Sequence, residues 1–82
     1  MSCVVYIIQS DATKRYYVGH SEGIEKRLSQ HNNGNNKSTK HGAPWHLVYA
    51  KRFQTRGEAM KCELQIKNRG VARYLRDEAQ PG

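Results

Sequence analysis

Helical spacing puts polar side chains in the wrong place in two segments of this sequence. At 100° per residue, Ile24, Arg27, Leu28 and His31 fall within an arc of about 100°, so the face meant to dock on the rest of the protein carries a guanidinium and an imidazole. Further along, Ala59, Cys62, Glu63 and Ile66 share one helical face, which sets a carboxylate inside an apolar stripe. Burying a charge without a partner costs several kcal/mol, so such placements call for a reason. Each has a bland one: Arg27 can snorkel into water, His31 can be a satisfied structural histidine, and Glu63 can pair with Lys67 one turn away. Two phenols join them: Tyr6 lies inside the first apolar run and Tyr17 near the end of the second, where a hairpin brings both to one face. Singly, such tyrosines are usually core or interface residues. Together, Tyr, Arg, His and Glu, all expected to point toward one sheet face, supply what phosphodiester hydrolysis requires: a base for water, a cation for developing phosphorane charge, and an oxygen ligand for a hard divalent cation such as Mg²⁺.

The elements that would hold this set follow from local pattern. Cys3 to Ile8 is an unbroken β-branched and aromatic run, as expected of a strand covered on both faces. A turn-rich loop of about five residues separates it from Tyr16-Tyr17-Val18, which stops at Gly19, and the pair reads as a hairpin. Ser21 is the expected N-cap of a first helix that runs to about Asn33 and ends at Gly34. The polar, basic stretch from Asn33 to Ala43 reads as a surface loop suited to a phosphate backbone, and Trp45 to Phe53 as a third strand. Thr55-Arg56-Gly57-Glu58 matches a capping box, so a second helix starts at Arg56 and stops near Asn68. Val71, Tyr74 and Leu75 have the spacing of a short third helix, and Glu78 to Gly82 reads as a loose end.

Composition bounds the answer. Eighty-two residues support one small core, and 14 Lys+Arg against 7 Asp+Glu leave a formal charge of +7. Such an excess attracts phosphate polyanions without specifying chemistry. No apolar run approaches the roughly 20 residues of a membrane helix, and the N-terminus has no secretory signal pattern, so no membrane partner and a soluble, cytoplasmic protein are expected. Cys3 and Cys62 are too few and too far apart for a disulfide framework or a zinc site; buried, reduced thiols are expected.

The order of these residues resembles the GIY-YIG nuclease family. Val4-Val5-Tyr6 is followed by Tyr17-Val18-Gly19, then Lys26-Arg27-Leu28 with His31-Asn32, then Glu63 on a later helix. The resemblance covers Cys3 to about Glu78, and Lys37-Ser38-Thr39-Lys40, Pro44-Trp45 and the Glu58 to Lys67 segment are most similar to the small stand-alone bacterial members, which resemble the excinuclease nuclease module. Two positions depart from the family name: Val4 stands where it has glycine and Val18 where it has isoleucine. Neither replacement removes a reactive atom.

The resemblance implies an α/β domain of the α+β type, a three-stranded antiparallel sheet flanked by helices, spanning residues 1–78 with a tail at 79–82. It implies that Tyr6 orients or deprotonates the attacking water, Tyr17 shapes the site, and Gly19 permits close approach. It further implies that Arg27 stabilises the pentacovalent transition state, His31 accepts or relays the proton, and Glu63 holds a single Mg²⁺ or Mn²⁺, with Asn32 structural. Lys37, Lys40, Arg52 and Arg56 are the expected contacts to a DNA strand, with RNA also open, and a monomer is the expected state. The function so implied is metal-dependent endonucleolytic cleavage of DNA, in repair or processing. The alternative is a non-catalytic nucleic-acid-binding module of the same fold. A third reading, a basic face that docks an acidic protein, explains the charge but not the inward polar set.

Overall fold

The computed structural model describes residues 2–34 and 40–79. Strand β1 (Cys3–Ser10) is the middle of a three-stranded sheet ordered β2-β1-β3, with β2 (Tyr16–Ser21) and β3 (Trp45–Phe53) both antiparallel to it. A central strand has no solvent edge and no solvent face here, which is why its sequence does not alternate. Helix α1 (Ile24–Asn32) follows β2; a 3₁₀ turn (Lys40–Gly42) precedes β3; α2 (Arg56–Arg69) and α3 (Val71–Ala79) close the chain. This is the expected α+β architecture. Among the described residues, no helix is long and apolar enough to cross a membrane.

Successive side chains of a strand point to opposite faces, and β1 feeds two separate clusters. Cys3, Val5 and Ile7 pack with Val18 against Ala59, Cys62 and Ile66 of α2, and α3 adds Val71, Tyr74 and Leu75. Tyr6 and Ile8 pack on the other face with Trp45, Tyr17 and the half-buried Ile24 and Leu28 of α1. A bulge lets β3 serve both: Ile7 pairs with Tyr49 but Ile8 with Leu47, so Val48 is skipped. Trp45 and Tyr49, four residues apart, would share a face in a regular strand; the extra residue turns Tyr49 toward α3 instead. There the Tyr49 and Tyr74 hydroxyls lie 2.8 Å apart. Both cysteines are buried and free, as expected.

Several boundaries moved for identifiable reasons. β2 does not stop at Gly19, because His20 and Ser21 continue the ladder opposite Val5 and Val4. Ser21 is therefore a strand residue whose hydroxyl accepts from the Gly23 N–H; the N-cap of α1 is Gly23, without a side-chain cap. The Thr55 hydroxyl accepts from the Glu58 N–H as expected, but the Glu58 carboxylate meets that same hydroxyl and not the Thr55 amide. α2 continues to Arg69 and is terminated by Gly70 at φ +95°, a conformation that side chains resist. α3 is longer than the spacing of Val71, Tyr74 and Leu75 required and carries Glu78 within it.

Two polar clamps lie where the chain leaves α1 and where it enters β3. Buried Ser10 donates to the Gly42 carbonyl and accepts from the Ala12 and Thr13 amides, which ties the hairpin turn to the 3₁₀ turn. Asn32, at the end of α1, pairs with the backbone of Trp45 through both ends of its amide: Oδ1 accepts from the Trp45 N–H, and Nδ2 donates to its carbonyl.

Candidate active site

Gly19 is the pivot of the site. It sits on edge strand β2 directly opposite Tyr6, and a Cβ there would lie 2.7 Å from the Tyr6 hydroxyl and 2.9 Å from Cζ. The absent side chain leaves the path along which the Tyr6 phenol crosses β2. Around that phenol, the ring of Tyr17 lies 6.4 Å away and that of His31 6.0 Å away, with Tyr17 and His31 only 4.8 Å apart. Tyr6 Oη and His31 Nε2 are 3.1 Å apart.

Burial governs the titration of this pair. Taking the phenol out of water pushes the Tyr6 pKa well above its ordinary value, and a neighbouring Tyr17 pushes the same way. Burial lowers the pKa of His31, which is fully enclosed, and the Arg27 guanidinium lowers it further. Tyr6 is thus held protonated and His31 held neutral.

Glu63 comes from the opposite side of the sheet. Val18 and His20, two residues apart on β2, both face α2, and His20 Nδ1 lies 2.7 Å from Glu63 Oε1. Lys67, one turn along α2, donates to Oε2 at 2.8 Å. Burial alone would raise the Glu63 carboxyl, but the hydrogen bonds from Lys67 and His20 outweigh it and leave the pKa below the ordinary value.

The two halves meet at the β2 edge. A cleft of about 600 Å³ opens there, lined by Tyr6, Tyr17, Gly19, Arg27, Arg56 and Glu63 among others. A neighbouring hollow of about 450 Å³ shares Arg27 and Arg56 and adds Lys26. Of the five reactive side chains singled out in the sequence, four line one cleft, and His31 stands behind Tyr6. Two expectations about their placement are corrected. The five do not point to one sheet face: Tyr6, Tyr17 and His31 lie on the α1 side and Glu63 on the α2 side, joined across an edge strand that lacks a side chain at Gly19. Arg27 does not sit in the packing face either. It is exposed at the margin of α1, because Ile24, Leu28 and His31 suffice to dock so short a helix.

Of the expected strand-binding residues, Arg56 lines both hollows, whereas exposed Arg52 lies on β3, two strands from the β2 edge. Lys37 lies outside the described residues, and Lys40 is placed by its backbone alone. Sequence reasoning missed His20 as the partner of Glu63. The signal was available: with β2 continued past Gly19, position 20 shares the face of Val18.

Residues 2–74 match the family described as the GIY-YIG catalytic domain. The chain belongs to the GIY-YIG family. It is 48% identical over 52 residues to a UPF0213 protein of Staphylococcus saprophyticus, covering 62% of this chain and 63% of that one. It is 38% identical over 74 residues to a UPF0213 protein of Staphylococcus aureus, with 88% of each chain covered. Against the structure-specific endonuclease subunit slx1 of Schizosaccharomyces pombe it is 36% identical over 81 residues, 88% of this chain but 29% of the other. The chain thus spans under two thirds of the first and under one third of the yeast protein. Among solved structures, the solution NMR structure of a UPF0213 protein from Bacillus halodurans superposes with a TM-score of 0.51 at 29% identity, covering 83% of this chain and 72% of that one.

Proposed function

We propose that the protein is an endonuclease that hydrolyses DNA phosphodiester bonds at the β2-edge cleft, with RNA as a further substrate to be tested. The observation that carries this reading is the convergence of Tyr6, Tyr17, Arg27 and Glu63 on one cleft with His31 behind Tyr6. The family and the printed activity of the yeast relative support it.

The residues divide the work by their chemistry. A phenol with a raised pKa is a poor resting base, so Tyr6 orients the attacking water and passes the proton on. Neutral His31, 3.1 Å from the phenol, is the acceptor. Tyr17 shapes the adjoining wall. Exposed Arg27 reaches the phosphate as equatorial charge builds in the transition state. Arg56 and Lys26 grip flanking phosphates, and Lys37, Lys40 and Arg52 are proposed as further contacts to a longer strand, outside the cleft lining.

Glu63 is the residue suited to a divalent cation. It lines the cleft, is ionised, and each of its bonded oxygens keeps a second lone pair. A hard cation such as Mg²⁺ or Mn²⁺ can be held through a single carboxylate with water completing its shell, which is the kind of site Glu63 offers. Such a cation, when bound, polarises the scissile phosphate and shares its charge. A monomer with one such site cuts one strand per encounter. With DNA as substrate the work is repair or processing, carried out in the cytoplasm.

The test is cleavage of labelled DNA and RNA substrates with Mg²⁺ or Mn²⁺, wild type beside Glu63→Ala and Arg27→Ala. Cation-dependent cleavage is expected, reduced about a hundredfold or more in each variant while DNA binding persists. Salt-sensitive binding with no cleavage on any substrate would instead establish a binding module.

A further inference from the structure

The carboxylate read above as the cation's ligand is already held at both oxygens, and the two holders differ in kind. His20 is fixed: its backbone is paired with Val5 in the ladder, and its side chain is 22% exposed. Lys67 is loose: its ammonium sits at the end of a four-carbon stem, 53% exposed, and contacts Glu63 only as a helical i,i+4 neighbour. Pairs of that exposed kind are weak and exchange readily with solvent. The Lys67 ammonium also sets a positive charge 2.8 Å from Oε2, on one of the two oxygens that would be offered to a hard divalent cation. Oε2 keeps a second lone pair, but two cations on one carboxylate oxygen repel each other, so a bound divalent cation weakens the hold of the looser one.

We propose that Lys67 is a displaceable stand-in for the divalent cation on Glu63, and that His20 is a positioning residue that keeps the carboxylate aimed into the cleft when Lys67 departs. The inference rests on the reading of Glu63 as the cation's ligand. It explains why a half-buried carboxylate stays ionised without the cation. It also leaves a released ammonium on the cleft wall, since Lys67 lines the cleft, where it faces the substrate phosphates.

The two residues should act with opposite sign on binding of Mn²⁺ alone, measured by calorimetry or by paramagnetic resonance without nucleic acid. Lys67→Met keeps the stem and removes the competitor, and should tighten Mn²⁺ binding roughly twofold to fivefold, the scale of one exposed ion pair. Lys67→Arg keeps a cation and should stay near wild type. His20→Ala should weaken binding about tenfold, as loss of an outer hydrogen bond to a ligand does, and His20→Asn, whose amide can stand where Nδ1 stands, should restore most of it. Thermal melts of each variant confirm that folded protein is compared; if His20→Ala unfolds, the contrast between His20→Asn and wild type carries that arm. Unchanged or weaker binding in Lys67→Met overturns the displacement, and failure of His20→Asn to hold affinity overturns the positioning role. Glu63→Gln separates this from the underlying reading: if it binds Mn²⁺ as wild type does, Glu63 is not the ligand and both fall; if it loses binding while Lys67→Met is unchanged, only the displacement falls.

Discussion

The two faces of the sheet are covered by helices that dock in different ways. On one face α2 buries Ala59, Cys62 and Ile66, and α3 adds an apolar rim. On the other, the buried residue of α1 is His31, and what it lies against is a tyrosine hydroxyl. The first contact is non-directional and scales with apolar area. The second adds to the Ile24 and Leu28 contacts a hydrogen bond between two desolvated groups, and it loses stability whenever either group must be charged. A domain this small has little apolar surface to bury, so one face supplies the cohesion and the other is free to hold a site.

The largest effect that should separate the faces is Ile66→Ala. Removing a fully buried side chain from the cohesive face should cost about 2–5 kcal/mol in denaturant unfolding, enough to threaten the fold. A cost below that of Tyr6→Phe would invert the comparison. Tyr6→Phe, which leaves the ring and removes the hydroxyl bonded to His31 Nε2, should cost about 1–3 kcal/mol and abolish cleavage. Unfolding that tracks neither change would mean the α1 face is cohesive in its own right.

Smaller, but specific to the α1 face, is a pH effect. The folded pKa of His31 is depressed, so the unfolded chain takes up the proton first. Stability should be full above about pH 6.5 and fall as the pH drops from there through the depressed folded pKa, with His31→Gln flattening that slope. An unchanged slope in the variant would assign the acid sensitivity elsewhere; the Glu63 contribution is lost at lower pH, from the ordinary carboxyl pKa down through its depressed folded one. The smallest effect belongs to the cohesive face: Tyr49→Phe or Tyr74→Phe alone should cost about 1 kcal/mol, and the double variant little more than either, because no unpaired hydroxyl remains.

The sequence was most legible where one rule acted alone. The unbroken run from Cys3 to Ile8 has a single meaning, a central strand, and Thr55 and Glu58 mark a helix start that tertiary structure does not oppose. The phase of Glu63 beside Ala59, Cys62 and Ile66 was readable for the same reason. The division of the site between faces was not, because a strand buried on both sides shows no alternation to say which residue faces which helix. Nor was the exposure of Arg27, since a nine-residue helix can dock on part of a stripe and leave the rest in water. His20 escaped because Gly19 looks like a stop. It is a residue left bare so that a phenol can pass.

The Asn32 amide, paired at both ends with the Trp45 backbone, has a consequence for how this protein can change. It closes the segment between α1 and β3 at its base, so what happens beyond the clamp need not reach the cleft. Doubling the length of a closed segment costs only about 0.6 kcal/mol in loop entropy. Residues inserted between Asn33 and Lys40, outside both clamps, should therefore alter how a nucleic acid is held while leaving the spacing of Tyr6, Arg27 and Glu63 untouched. Grip and chemistry are separately adjustable, and the clamp is the boundary between them.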